Sequence, residues 1–404
     1  MGMGNIATSG MQAAMSDMET ISNNIANAKS TGFKSSSASF ADIVPSGNDA
    51  SGPQIGLGAK LTSVQQQFTP GTLTTTNFAG DLTVSGSGFF ILHDSVSGQT
   101  SYTRTGHFDF DSTSGYFTLG NQRLQGFPAI NGTVPSGSVP SDIQLKTGAQ
   151  PASASTVVTA QGLNLNSSDA LPTTSPFNEN DATSYNYTTH ATVYDSLGNK
   201  NNFDVYYVKT AANQWSAYAA INGNVLNSTS PGSLSFDQDG KLTAATGLNA
   251  LSYTPTNGAA PLTLDLIMSG TTQFGNSDST LPFTTDGYPA GSFASYTIDL
   301  NGMLTANYTN GPAVLVGQVA TALFQSPESL QNQGGGQWIA TSSSGLPSVN
   351  PVNSVNSVQQ GVLEGSNVDL ASELVSLISA QNTFQANAQV EQVYNQVMQT
   401  VIKL

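Results

Sequence analysis

Residues 7–28 read ATSGMQAAMSDMETISNNIANA. Within them Ala7, Met11, Ala14, Met18, Ile21, Ile25 and Ala28 recur at alternating steps of four and three. That is the a/d spacing of a coiled-coil seam, sustained for about three heptads. Up to Ala28 the only charged side chains are Asp17 and Glu19. A lone helix of this kind is marginal in water, because its nucleus is costly and its seam is bare. The spacing predicts a helix over residues 1–30, stopping near Ser30–Gly32, where Gly32 supplies a left-handed residue.

The far end of the chain complements this helix. From Ser366 to Leu404 there is neither glycine nor proline, and Ser366 or Asn367 is expected to cap a long helix, with Asp369 in its first turn. Leu370, Ala371, Leu374, Val375, Leu377, Ile378 and Phe384 make the apolar pattern of its first half. Val390, Val393, Tyr394, Val397, Val401 and Leu404 make that of the second. At about 100° per residue, Leu374 and Val397 point about 140° apart, so one flat neighbour cannot cover both. The two terminal helices are therefore expected to pair and to bury their remaining faces in further copies of the chain. Self-assembly is assigned to Ala7, Met11, Ala14, Met18, Ile21, Ile25, Leu370, Leu374, Leu377, Ile378, Phe384, Val390, Val393, Val397 and Val401.

Between the ends the pattern changes. From about Ser35 to Leu346, period-2 alternation, abundant Thr, Val, Tyr and Phe, and dense Gly, Asn and Asp turns predict strands and hairpins. The expected fold is mostly β, with sandwich or barrel-like pieces and a helix at each end. Pro312–Phe324 reads as one or two strands, and Asp237–Gly240 as a type I′ hairpin turn. Composition shifts near 150–159, 279–292 and 341–356 suggest that one β domain is inserted into another.

Composition excludes whole classes of function. Charged residues are 9% of the 404, against about 25% in an average soluble domain. Ten basic residues against 25 acidic ones leave a net charge of -15, with no basic patch for nucleic acid or anionic lipid. Cysteine is absent, which removes disulfides, thiol nucleophiles and thiolate metal sites. No run is long and apolar enough to span a membrane, and the N-terminus lacks the features of a cleavable leader. His93, His107 and His190 stand apart, without metal-ligand spacing. Asp237-Gln-Asp-Gly240 lacks the acidic residue that closes a calcium loop. Ser85-Gly-Ser-Gly-Phe89 has no helix after it and reads as a tight bend. The carboxylate pairs Asp109/Asp111 and Asp237/Asp239 read as strand or turn residues. No catalytic, cofactor or metal residue is assigned.

Three separated stretches carry a family resemblance. Ser22-Asn-Asn-Ile-Ala-Asn-Ala-Lys-Ser-Thr-Gly-Phe-Lys34 resembles the N-terminal signature of flagellar rod and hook proteins. Gly361-Val-Leu-Glu-Gly-Ser-Asn-Val-Asp-Leu370, followed by Glu373-Leu-Val and Gln381-Asn-Thr-Phe384, resembles their C-terminal signature. Asp81–Ile91, Tyr102–Phe108 and Leu124–Pro128 resemble their shared β domain, and the length of the middle is similar to the hook branch. The resemblance implies an inner coiled-coil core from 1–30 and 366–404, and a linking segment from 31–73 and 347–365. It also implies a β domain from 74–149 and 287–346, with an outer β domain, 150–286, inserted in it. It implies a structural subunit that polymerises under a hook cap into a curved hollow tube, a universal joint between rod and filament. Its implied partners are copies of itself, the distal rod protein, hook–filament junction proteins and the type III export apparatus, through which it leaves the cell without leader cleavage for the extracellular flagellum. The motif residues Asn24, Ile25, Ala26, Asn27, Gly32, Phe33 and Lys34 are expected to shape the exit from the first helix. A distal-rod or lateral-flagellum homologue is the nearest alternative; a secreted β-rich carbohydrate-active enzyme is the alternative from another class.

Overall fold

A computed structural model describes residues 3–44, 56–352 and 356–402. The expected helix positions 1–2 and 403–404, and linking-segment positions 45–55 and 353–355, lie outside the described residues. The chain divides into two compact units. One is built from 1–147, 295–306 and 313–404, the other from 148–294 and 307–312.

The first unit holds both long helices, α1 (Met3–Ala26) and α2 (Leu370–Ile402). Each is shorter than the sequence suggests. The first helix gives way after Ala26 to tight turns, in which the Asn27 N–H reaches the Asn23 and Asn24 carbonyls and the Ser30 N–H reaches Asn27. The second starts at Leu370, not at Ser366 or Asn367. Its cap is Asp369, whose Oδ1 accepts the N–H groups of Ala371 at 2.9 Å and Ser372 at 3.4 Å. Asn367 is unavailable as a cap because it is bonded elsewhere, as described below.

After α1 the chain makes an antiparallel hairpin of β1 (Ser36–Asp42) and β2 (Ala59–Gln66), with a register shift between Ser39 and Phe40. Next, β3 (Leu73–Thr75) pairs with Val362–Glu364, and β4 (Leu82–Val84) pairs with Val358–Gln360. The chain leaving α1 and the chain returning to α2 thus run side by side in opposite directions. Beyond them, Phe89–Asp94 pairs antiparallel with Thr100–Thr103 and with Gln122–Pro128. The apolar run near residue 313 is one strand, Ala313–Leu323, paired with both Phe89–Asp94 and Gln122–Pro128. Phe89, Ile91, Tyr102, Ala320 and Trp338 form the core under this sheet. Phe68 closes it, edge-on to Phe89 at 5.4 Å and Trp338 at 5.5 Å.

The second unit is a pair of sheets sharing one core. Val157–Asn166 runs parallel to Leu262–Ile267 and Thr272–Phe274, and antiparallel to Ser279–Thr285. The facing sheet is an antiparallel series: Tyr187–Tyr194, Lys200–Ala211, Gln214–Ile221, Gly232–Phe236 and Leu242–Thr246. Alternation does the sorting: Phe203, Val205 and Tyr207 are buried, while Asn202, Asp204 and Tyr206 between them are less so. Trp215 of one sheet donates its indole N–H to Gln273 Oε1 of the other, 2.6 Å away. The turn at Asp237–Gly240 is not type I′. That turn needs two left-handed central residues, and here only Gly240 has positive φ (+76°). Asp237 Oδ1 instead takes the N–H groups of Asp239 and Lys241, and the ladder shifts register beside it.

Candidate self-assembly site: the paired termini

The two helices run antiparallel. Gly4 faces Tyr394, Gly10 faces Asn387, and Asn24 Nδ2 donates to Glu373 Oε1 at 2.9 Å, so numbering rises along one helix as it falls along the other. A methyl group on Gly10 would sit 2.8 Å from the Asn387 side chain; the missing side chains let the backbones approach. Among the seam residues of α1, Ala7, Ala14 and Ile21 are buried, and Met11, Met18 and Ile25 are half-buried. Part of that cover comes from the β1–β2 hairpin, a neighbour the sequence did not suggest. Asn24 bonds Ser36 through both its carbonyl (2.9 Å) and its amide (2.8 Å), and Ser9 Oγ accepts the Ala59 N–H at 3.3 Å.

The second helix is covered far less. Leu377 and Phe384 are half-buried, and Ala380 is its one buried residue among the described ones. Leu370, Leu374, Ile378, Val390, Val393, Val397 and Val401 are all exposed, Val393 at 58% and Val397 at 53%. Val390, Val393 and Val397, with Ala386 and Tyr394, border an open groove along the helix. Leu374, from the apolar pattern of the first half of α2, is half in solvent at 50%.

Below the helices lies a buried ionic cluster. Lys34 is wholly buried, and Arg104 and Glu364 are nearly so. The Lys34 ammonium donates to Glu364 Oε1 at 2.7 Å and to the Thr69 carbonyl at 2.8 Å. The Arg104 guanidinium reaches Glu364 Oε2 at 3.5 Å and the Gly86 carbonyl at 2.8 Å, and its carbon lies 4.9 Å above the Phe89 ring. Burial pulls both cations below their ordinary pKa values, and the Glu364 carboxylate opposes that shift. Glu364 Oε1 also accepts the Gly71 N–H at 2.9 Å, and the Glu364 carbonyl accepts that of Gly32 at 2.8 Å. Asn367 completes the lock: its Oδ1 accepts the Ser35 N–H at 2.7 Å, and its amide donates to Gln67 and Thr69.

Of the motif residues, Gly32 and Lys34 therefore gather here, while Asn24 joins α1 to Ser36 and to Glu373 of α2. Ile25 and Phe33 are half-buried, Ala26 is exposed, and Asn27 ties its amide to Asn23. Gly32 has φ +68°, and a methyl group on it would lie 2.7 Å from the Thr105 backbone. Gly32→Ala is expected to cost about 1–3 kcal/mol, read as a lower melting temperature of the full chain; an unchanged melt would refute the close fit. Sequence reasoning missed Arg104 and Glu364, although both lie in quoted motifs. Their rarity in so weakly charged a chain was the available signal.

The histidines form no common site. His93, His107 and His190 each bond a different aspartate, Asp142, Asp81 and Asp204, at 2.9, 2.5 and 2.6 Å. Asp111 is spent on its own turn, accepting from Thr113 and Ser114.

Comparison with known proteins agrees with this arrangement. Residues 5–34 match the family described as flagella basal body rod protein, and 359–404 match the C-terminal region of the basal body rod FlgEFG proteins. Residues 164–288 match the flagellar basal body protein FlaE D2 domain. Paired termini around a β-rich middle, with these matches at both ends, define an axial flagellar protein. The chain is 37% identical to the flagellar hook protein FlgE of Escherichia coli K12 and 30% identical to that of Borreliella burgdorferi B31, over 98% of every chain compared. It belongs to the flagellar hook protein family. The crystal structure of Helicobacter pylori flagellar hook protein FlgE2 shares the fold, with a TM-score of 0.52 at 16% identity, covering 72% of this chain and all of that one.

Proposed function

We propose that this chain polymerises into the hook as a curved hollow tube, a universal joint that passes motor torque from rod to filament. It acts as a structural subunit and not as an enzyme. The observation that supports this most directly is α2, which presents Val390, Val393, Val397 and Val401 to solvent. Each such side chain gains about 1.5–3 kcal/mol on full burial, and neighbouring copies supply that burial. Within the chain, 1–30 and 366–404 serve as the inner core, 31–73 and 347–365 as the link, 74–149 and 287–346 as a first β domain, and 150–286 as the outer one. Outer surfaces rich in Ser, Thr and Asn exchange contacts with water at little cost, so inner helices fix the polymer while outer domains slide. The distal rod protein stands at one end of the tube and the junction proteins at the other. The hook cap guides growth, and the type III export apparatus delivers the chain outside the cell with its N-terminus uncleaved.

Electron microscopy of the purified chain is expected to show hollow tubes at high concentration. A chain lacking Val390–Leu404 is expected to stay monomeric. Normal tubes from the shortened chain would sink the proposal.

A further inference from the structure

Resting on that reading, we propose that the Lys34–Glu364–Arg104 cluster is a rigid pivot that sets how both terminal helices leave the β body, and thereby sets the helical repeat of the polymer. Lys34 follows the end of α1, Glu364 precedes the start of α2, and Arg104 stands in the bend directly after the Thr100–Thr103 strand of the β body. One carboxylate thus joins the exit of one helix, the entrance of the other and the body they stand on. Lys34 and Arg104 are the two buried basic side chains among the described residues of a chain that has ten. Burying charge is expensive, and apolar residues of similar size often stabilise a fold as well or better. What such a cluster adds is direction: each bond fixes one partner at one angle. Here the packing leaves no slack. A methyl group on Gly71 would lie 2.1 Å from the Gly365 carbonyl oxygen, and one on Gly32 would strike the Arg104–Thr105 backbone. Asn24 in α1 extends the restraint to Ser36 and to Glu373 of α2, and Asn367 ties the approach to α2 to Ser35.

The charges are unequal, and that makes the pivot testable. Two cations share one anion. Lys34→Met leaves a balanced Arg104–Glu364 pair, whereas Glu364→Gln leaves two buried cations facing no charge. Glu364→Gln is therefore expected to lower the melting temperature of the full chain far more than Lys34→Met, or to prevent folding where Lys34→Met folds. A loss from Lys34→Met equal to or larger than that from Glu364→Gln overturns the assignment. In folded Lys34→Met monomer, hydrogen exchange at the Gly32 amide is expected to quicken about ten- to hundredfold, with exchange in the Phe89–Asp94 strand unchanged. By electron microscopy its tubes are expected to have an altered or irregular subunit repeat. A Gly32 amide that exchanges as in the unaltered chain, or tubes whose repeat matches the unaltered ones, overturns the pivot. Absence of tubes from the unaltered chain would instead sink the hook reading, and the exchange experiment on the monomer still judges the cluster.

Discussion

Val393→Asp combined with Val397→Asp is expected to abolish tube formation while leaving the single chain folded. Both positions lie on the exposed side of α2, and both border the open groove along it. In the monomer the new carboxylates stay in water, and surface changes of this kind fall within about 0.5 kcal/mol. In the polymer they would be buried beside apolar groups with no cation at hand. After Lys241 the chain has no basic residue until Lys403. An unpaired buried carboxylate costs several kcal/mol, and every subunit contact repeats that cost. Sedimentation should show monomer at concentrations where the unaltered chain is wholly polymeric, with superimposable circular dichroism. Tubes of ordinary length from the double variant would refute the role of this face.

Trp215→Ala is expected to unfold the second unit, residues 148–294 and 307–312, selectively. The indole is fully buried, packs in the core shared by the two sheets, and donates across it to Gln273. Removing it leaves a cavity and strands a buried amide oxygen; losses of about 3–5 kcal/mol are usual for such a truncation. That is a large share of what holds a domain of this size. The unit containing the helices has its own core around Phe89 and Trp338, so calorimetry should show one transition moved down and another in place. Trp215→Phe, which keeps most of the volume, should lose less. A single transition shifted as a whole would mean the units melt together.

The sequence was most informative where a period has one cause. Steps of four and three marked the covered side of α1, and Ala7, Ala14 and Ile21 are buried as that spacing requires. Alternation marked the inward faces around Phe203, Val205 and Tyr207. A period says which face is apolar but not what covers it. That is why the β1–β2 hairpin against α1 went unseen, and why the spacing of Leu374 does not say what covers it. The cap of α2 was misplaced for a related reason. Ser366, Asn367 and Asp369 are all able caps, and the choice fell to Asp369 because Asn367 is held by Ser35, Gln67 and Thr69, residues about 300 positions away in sequence. The parallel pairing of Val157–Asn166 with Leu262–Ile267 joins residues 108 positions apart, also beyond the reach of any local pattern. The ionic cluster needs three segments to meet, and no local pattern reports such a meeting.

The returning strand Val362–Glu364 closes against β3, so Leu73–Thr75 finds its mate only beyond the whole β-rich middle of the chain. A chain cut before Val362 keeps Lys34 and Arg104 but has no Glu364 to receive them, and no strand to pair beside Thr74. Such a chain is left with two basic side chains lacking their acid and an open strand edge at the junction from which both helices leave.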